Sequence, residues 1–199
     1  MLVETPEGRL LWDTSCPRDR QTRWEPTGLQ DYSRYDQVTE QQYLDSRLQQ
    51  LGVGLDEVDY VVLSHLHFDH AGDAAMFEGT NATMVVNAEE EEFAFGYEGA
   101  FNGAHLLSDC AGIDWQTVDG DTELLPGVTL IQAPGHTVGT MSMKVDLPET
   151  GSMIFTSDAW YASVEKIRGI AQQSNATVVF GHDAAQMQTL PTSPEGFYA

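Results

Sequence analysis

Short apolar segments alternate with polar turns along the whole chain and predict a mixture of strands and helices. Positions 60–63 are apolar without interruption, which is typical of a strand that is buried on both faces. The turn Leu-Pro-Glu-Thr-Gly at 147–151 joins two shorter segments as a hairpin. Strands are expected at 1–5, 9–13, 59–64, 83–87, 115–118, 128–132, 141–145, 152–156 and 177–180.

Helices are indicated where apolar residues recur every three or four positions. Leu44, Leu48 and Leu51 share one helical face, and Thr39 with Gln42 forms a capping-box pattern before them. Further helices are expected at 71–77, 88–95 and around 164–171, with a long loop at 14–36. The chain has no internal repeat, which predicts one domain over 1–199. The order of elements suggests two packed sheets with helices outside, and periodicity alone leaves α/β and α+β open.

The charge balance is strongly acidic, with 31 Asp and Glu against 9 Lys and Arg and a formal net charge of −22. Such a surface repels phosphate backbones and anionic membranes, so neither nucleic acid nor a membrane is an expected partner. An ordinary solvated surface explains this charge. Adaptation to high salt, where ions screen the repulsion, explains it as well, and both interpretations stay open.

Location and redox state follow from what the sequence lacks. No apolar run approaches the roughly 20 residues that cross a bilayer. The start at 1–7 lacks the basic-then-apolar order of a signal peptide, which predicts a cytoplasmic protein. The two cysteines, Cys16 and Cys110, are too few for a disulfide framework, and two free thiols are expected.

Metal-binding chemistry is indicated by the run H-L-H-F-D-H at 65–70, directly after a predicted strand. Side chains alternate in extended backbone, so His65 and His67 point to the same side and can hold one metal ion. Asp69 and His70 come where the chain turns into a helix, and they can face a second ion. These ligands suit zinc, iron, cobalt or manganese, of which zinc is the commonest choice.

Three more candidate ligands, His136, Asp158 and His182, each follow the end of a predicted strand. Side chains in such positions can converge on one edge of a sheet. Five of the six histidines belong to this set, and His105 is interpreted as an ordinary loop residue. The set predicts a metal centre that activates a water molecule.

The order and spacing of these residues resemble the metallo-β-lactamase superfamily, whose mark is H-x-H-x-D-H followed by a later His, a bridging Asp and a last His. The resemblance runs from about Leu2 to the C-terminus. It implies an α+β fold, the αβ/βα four-layer sandwich of two mixed sheets with helices outside, and a dinuclear site. The implied ligands are His65, His67 and His136 for the first metal, Asp69, His70 and His182 for the second, and Asp158 as the bridge.

Within the superfamily, several strings are most similar to N-acyl homoserine lactonases, which inactivate bacterial quorum-sensing signals. The most telling is D-A-W-Y at 158–161, because these lactonases carry a Tyr three residues after the bridging Asp, where it contacts the substrate carbonyl. The resemblance implies that Tyr161 stabilises the developing oxyanion and that Asp69 carries a proton to the leaving group. Phe68 would line an acyl-chain pocket. Simple packing on the core is the competing interpretation of both aromatic residues.

The sequence departs from the pattern of these lactonases in three ways. Ser15 stands where the family usually has Gly, and the chain begins late relative to typical lactonases. The segment after Tyr161 is short, whereas family members usually carry a substrate-lining stretch of some tens of residues there. The metal ligands survive all three departures, and the doubt falls on the substrate pocket.

Several functions remain open at this point. Another lactone such as a pyridoxolactone, a thioester or a β-lactam could be the substrate, because the metal centre activates water in every case. Tyr161 and Phe68 favour a lactone. A catalytically idle metal-binding scaffold is the alternative of another class. The expected cofactors are two divalent ions, zinc first, the expected partner is a small lactone, and a homodimer is compatible with the sequence.

Overall fold

A computed structural model describes residues 1–31, 37–96, 98–99, 101–192, 194 and 196–199. The chain separates into two compact units. The first comprises Met1–Val86 and Glu91–Thr117, and the second comprises Asn87–Glu90 and Val118–Ala199. The single domain expected over 1–199 stays a prediction.

Twelve strands lie in the described residues, and nearly all the long ones coincide with predicted strands. They are β1 (Leu2–Thr5), β2 (Gly8–Trp12), β3 (Tyr60–Val62), β4 (Thr83–Asn87), β5 (Phe101–Asn102), β6 (His105–Leu106), β7 (Trp115–Val118), β8 (Thr122–Leu125), β9 (Val128–Gln132), β10 (Met141–Leu147), β11 (Gly151–Phe155) and β12 (Thr177–Val179).

Helices connect and flank these strands. The α-helices are α1 (Arg20–Arg23), α2 (Leu44–Gln50), α3 (Phe68–Ala71), α4 (Ala88–Phe95), α5 (Leu107–Cys110), α6 (Tyr161–Ser174) and α7 (Ala184–Met187). Short 3-10 turns occur at Glu25–Thr27, Leu29–Asp31, Glu40–Gln42, Leu55–Glu57 and Ala74–Phe77. No helix among the described residues is long and apolar enough to cross a membrane.

The first unit is built on a five-stranded mixed sheet with the strand order β1-β2-β3-β4-β7. β1 and β2 form the predicted hairpin, in which Val3 lies opposite Leu10. β3 pairs in parallel with both β2 and β4, so these three strands end at the same edge of the sheet. Because Trp12 lies beside Val62, the residues that follow β2 and β3 begin side by side.

The second unit contains a five-stranded mixed sheet with the order β12-β11-β10-β9-β8. β10 pairs antiparallel with both β9 and β11, and the turn at 147–151 makes the predicted hairpin. β11 and β12 are parallel, with Phe155 opposite Val179. β9, β11 and β12 therefore run in one direction, and the residues after them leave the sheet at the same edge. The two mixed sheets with their helices confirm the α+β class.

Each sheet is covered by aliphatic side chains that hold its strands in place. In the first unit Val61 and Leu63 are fully buried, and Leu48 of α2 packs with them. In the second unit Ile167 of α6 packs against Ile154 of β11 in a smaller cluster. Full burial of one such side chain contributes about 1.5–3 kcal/mol to stability, so these contacts fix the strand ends from which the candidate ligands project.

Local predictions were confirmed in most places and wrong in two. The segment 14–36 is not one loop, because its described part contains α1 and two 3-10 turns; residues 32–36 lie outside the described residues. The helix expected at 71–77 is two separate turns, α3 and Ala74–Phe77. The capping box at Thr39 and Gln42 exists, but it begins a 3-10 turn ahead of α2. Both cysteines are thiols that form no disulfide among the described residues, as expected.

Candidate functional site

The H-L-H-F-D-H run leaves the end of β3 and turns into α3, as the sequence indicated. His65 is fully buried, and its ring centroid lies 4.1 Å from that of His70 and 4.7 Å from that of His67. Asp69 Oδ2 is 3.8 Å from His70 Nε2. The first unit thus brings three imidazoles and one carboxylate into a single cluster.

Asp13 lies beside the candidate ligand His70, and the sequence did not single it out. Its Oδ2 lies 3.0 Å from His70 Nδ1, and its Oδ1 accepts a hydrogen bond of 2.7 Å from the Ser64 backbone N–H. A carboxylate on Nδ1 holds an imidazole in the tautomer that presents Nε2, which is the usual arrangement for a metal-binding histidine. The signal that reveals Asp13 is the parallel pairing of β2 with β3, a long-range contact.

The backbone around α3 is held by the segment that follows β2. The Thr14 N–H and hydroxyl both donate to the His70 carbonyl, at 2.7 and 2.9 Å. Ser15 forms a bridge with Ala71. A Cβ on Gly72 would lie 2.6 Å from the Ser15 carbonyl oxygen, so only glycine allows this close approach. These contacts fix the orientation of the helix turn that carries Asp69 and His70.

His105 is not the ordinary loop residue that the sequence suggested. It lies in β6, is 4% exposed, and its ring centroid is 4.6 Å from that of His67. The interpretation failed because β5 and β6 are two residues long each, which is too short to show the alternation of apolar and polar residues that marks a strand. His105 is therefore part of the surroundings of a candidate ligand.

Phe68 lies in a buried cluster with Cys16, Trp24 and Leu106. Its ring stands edge-on to Trp24 at a centroid distance of 4.7 Å, and only 6% of the residue is exposed. This burial favours the packing interpretation. A contact of Phe68 with an acyl chain stays a prediction.

The second unit brings together the other three candidate ligands beyond one edge of its sheet. His136 follows β9, Asp158 follows β11 and His182 follows β12. His136 Nε2 lies 3.4 Å from Asp158 Oδ2, and His182 Nε2 lies 3.1 Å from Asp158 Oδ1. Two imidazoles therefore approach different oxygens of one carboxylate, and this geometry suits a carboxylate that bridges two cations.

Tight backbone turns place these three side chains. A Cβ on Gly181 would lie 2.2 Å from the Ser157 carbonyl oxygen, so glycine lets the two strand ends approach. Ser157 and His182 both have left-handed backbone, with φ of 49° and 54°. Such conformations cost of order 1–3 kcal/mol each and are concentrated at functional sites. Nearby, buried Glu90 accepts a hydrogen bond from the Gly139 N–H, which anchors the turn that carries His136.

Tyr161 is the first residue of α6 and is 87% exposed. The competing interpretation, an aromatic side chain packed on the core, is wrong for this residue. Trp160 before it is 58% exposed. Two adjacent large aromatic side chains are therefore exposed to solvent at the start of α6.

Buried carboxylates lie close behind the cluster of the first unit. Desolvation raises the pKa of Asp73 to about 7 and the pKa of Asp109 to about 6, although the Arg23 guanidinium opposes both shifts. Arg23 donates to the Gly72 carbonyl at 2.8 Å and pairs with Asp109 at 3.2 Å. The Arg23 guanidinium therefore links α1 to the residue that follows α3 and to α5.

Comparison with known proteins agrees with metal-binding chemistry in this chain. The family described as the metallo-β-lactamase superfamily matches residues 1–189. The chain belongs to this superfamily. It is a metal-dependent hydrolase, and the expected fold class is confirmed. The fold implies a divalent metal ion, and His and Asp side chains of the described residues form groups that could hold one. Nitrogen and carboxylate oxygen donors of this kind fit such an ion.

Named relatives come from bacteria. An N-acyl homoserine lactonase of Bacillus thuringiensis is 28% identical over 221 residues, covering 98% of this chain and 84% of the relative. The lactonase AttM of Azorhizobium caulinodans is 31% identical over 182 residues, covering 77% and 68%. A solved N-acyl homoserine lactone hydrolase, with N-hexanoyl-L-homoserine at its catalytic metal centre, has a TM-score of 0.82 and 26% identity, covering 100% of this chain and 85% of its own.

Proposed function

We propose that this superfamily member is a dinuclear lactonase, with zinc as the first choice of metal, that opens the ring of N-acyl homoserine lactones. The observation that carries the proposal is the Asp158 carboxylate, whose two oxygens face different imidazoles in a chain similar to lactonases over almost its whole length. The buried His65 and His70, with Asp13 behind the latter, supply the matching nitrogen donors.

The proposed ligand sets follow the superfamily pattern. A bridging role for Asp158 is supported by its use of Oδ2 toward His136 and of Oδ1 toward His182. A role for His70 as a ligand to one ion through Nε2 is supported by the Asp13 carboxylate, which contacts its Nδ1. The proposed ligands are His65, His67 and His136 for one ion, Asp69, His70 and His182 for the other, and Asp158 for both.

When bound, the two ions would supply a nucleophilic water near neutral pH and charge that favours its attack on the lactone carbonyl. Tyr161 would donate its hydroxyl proton in a hydrogen bond to the carbonyl oxygen as negative charge develops there. Asp69 would pass a proton to the ring oxygen as the carbon–oxygen bond breaks. Water is consumed, the product carries one new carboxylate and one new hydroxyl group, and one proton is released to solvent.

The charge of the protein is compatible with this reaction. An acyl homoserine lactone is neutral, so a net charge of −22 does not repel it. The product is an anion, and the same field favours its departure. The exposed aromatic pair Trp160 and Tyr161 offers apolar surface to an acyl chain. A cytoplasmic location and a homodimer stay predictions.

The decisive test uses the purified full chain. Its zinc, iron, cobalt and manganese are counted by mass spectrometry, and hydrolysis of hexanoyl and dodecanoyl homoserine lactones is followed by proton release. Pyridoxolactone, a thioester and a chromogenic β-lactam serve as competing substrates. We expect two metals per chain and acyl homoserine lactone turnover that chelator abolishes and zinc restores.

Other outcomes would separate the alternatives. Preferred turnover of another compound in the panel would replace the substrate and keep the metal centre. Two bound metals without turnover of any compound would favour the idle scaffold. Turnover that persists after complete removal of metal would contradict the proposal as a whole.

A further inference from the structure

His105 is a buried imidazole beside His67 and has no part in the reaction proposed above. The two ring centroids are 4.6 Å apart with an angle of 72° between the planes. His105 Nδ1 lies 3.1 Å from the Asn102 carbonyl oxygen. Because a carbonyl oxygen only accepts, Nδ1 carries the proton and donates, which fixes both the tautomer and the ring plane. Phe93 packs against the same ring at a centroid distance of 5.4 Å.

Backbone contacts also hold His105 beside the H-L-H-F-D-H segment at 65–70. His67 and His105 form an antiparallel bridge. The adjacent Phe68 N–H donates to the Ala104 carbonyl at 3.0 Å. The hairpin of β5 and β6 turns at Gly103, where φ is 59° and glycine avoids the strain of a side chain. The hairpin is therefore laid directly along the segment between β3 and α3.

We propose that His105 is a positioning residue that sets the plane of the His67 imidazole. The His67 ring makes edge contacts with two others, His65 at 4.7 Å and 74° and His105 at 4.6 Å and 72°. Removal of either neighbour opens further rotamers to His67. No candidate metal group among the described residues includes His105, so it acts through His67 and not as a ligand. The inference rests on the proposed ligand role of His67.

The test compares three substitutions at position 105 with one control. His105→Ala removes the ring, His105→Leu keeps most of the volume without a flat ring, and His105→Phe keeps the ring without its nitrogens. Val58→Ala is the matched control, because it opens a cavity in the core of the same unit at a residue 1% exposed. The readouts are the zinc dissociation constant by competition with a chromogenic chelator, the visible spectrum of the cobalt-loaded protein, and the melting temperature of the metal-free protein.

We expect His105→Ala and His105→Leu to raise the zinc dissociation constant roughly 10-fold to 100-fold, as loss of a ligand's outer partner does. The cobalt bands should shift, and His105→Phe should restore most of the affinity. Val58→Ala should lower the melting temperature without changing zinc affinity. Should the Ala variant fail to fold, the Leu variant provides the same comparison.

Three results would overturn the inference. Unchanged zinc affinity in both His105→Ala and His105→Leu would remove the positioning role and leave the proposed function intact. A Phe variant as weak as the Ala variant would mean that the nitrogens matter and the ring plane does not. Wild-type protein that binds no zinc would end this inference together with the proposed metal centre.

Discussion

The two sets of candidate ligands are held by their units in different ways. In the first unit His65 is fully buried and His70 is 8% exposed, and hydrogen bonds from neighbouring segments orient the latter. In the second unit the His182 side chain is 64% exposed, and His136 and His182 both contact the candidate ligand Asp158. The first set includes imidazoles that are buried and oriented by the fold, whereas the second set includes one that is largely exposed.

This contrast separates the effects that substitutions should have. In the first unit, changes around the ligands should act through orientation and so through metal affinity. In the second unit, changes should remove a ligand or a substrate contact outright. The predictions below test that division, beginning with the largest expected effect.

Asp158→Asn should abolish most metal binding and activity. The substitution leaves one amide oxygen and turns the other ligand position into an N–H donor, which binds no cation. One proposed ion loses its oxygen ligand, and the other keeps only an uncharged amide oxygen. Since even an outer partner of a ligand is worth roughly 10–100-fold, we expect a loss of about 10³-fold in kcat/KM. Metal counting and lactone kinetics measure it. Asp146→Asn, a surface carboxylate of β10, is the control. Full activity with two metals bound would refute the bridging assignment.

Tyr161→Phe should lower turnover without emptying the metal site. Removal of one oxyanion donor costs roughly 10²-fold to 10³-fold in rate. The side chain is 87% exposed, so stability should hardly change. Steady-state kinetics with metal content and melting temperature measure the three effects, and Tyr60→Phe is the control. An unchanged kcat would exclude a catalytic role for Tyr161 and leave it as a surface aromatic residue.

Asp13→Asn tests the orienting effect in the first unit. An amide beside His70 Nδ1 can present N–H where an acceptor is required, so the ring would lose its preferred tautomer. We expect zinc affinity to fall roughly 10-fold to 100-fold. Chelator competition measures the constant. Asp59→Asn is the matched control. The Asp59 carboxylate accepts a hydrogen bond of 2.8 Å from the Arg9 backbone N–H and does not contact the histidines. Equal zinc affinity in the two variants would show that the Asp13 contact is only structural.

Most of the fold and the positions of the candidate ligands after strand ends could be predicted, because both depend on local signals. β4 and β9 have the predicted bounds, since uninterrupted β-branched and aliphatic residues mark buried strands. The candidate ligands follow the ends of strands, and the sequence pattern alone predicts where those strands end. What a single segment cannot reveal is its partner. Asp13 and His105 became visible only through the pairing of β2 with β3 and of β6 with the His67 segment.

The short elements were missed for a related reason. β5, β6, α5 and α7 contain two to four residues each, less than is needed to show a period. α1 consists of Arg-Gln-Thr-Arg and has no apolar face, so it resembled a loop. Its stability comes from tertiary contacts, among them the hydrogen bond from Arg23 to the Gly72 carbonyl. Such contacts are a property of the fold and are invisible in composition.

Asp73→Asn should change how the first unit responds to pH. Burial raises the pKa of Asp73 from 3.8 to about 7, so the folded state binds the proton more tightly than the unfolded state. The contribution of protonated Asp73 to the free energy of unfolding is complete below pH 4, and it is lost as pH rises through about 7. Asn cannot ionise, so the variant should gain about 1–2 kcal/mol over wild type at pH 8 and little at pH 4.5. Urea unfolding at both pH values measures this gain, with exposed Asp56→Asn as control. The same difference at both pH values would contradict the prediction.

Ser15→Gly should give the smallest effect, a modest gain in the stability of the first unit. Ser15 has φ of 65°, in the left-handed region that favours glycine, and it bridges Ala71 beside His70. Relief of the strain outweighs the greater freedom of glycine in the unfolded chain, so we expect about 0.5–1 kcal/mol of added stability. Ser15→Ala removes the hydroxyl and retains the strain, so it should gain nothing. If both variants unfold at the same urea concentration, the serine hydroxyl and not the backbone determines stability here. A gain confined to Gly, with zinc affinity unchanged, would mean that the orientation of His70 tolerates a strained neighbour because Asp13 and Thr14 already fix it.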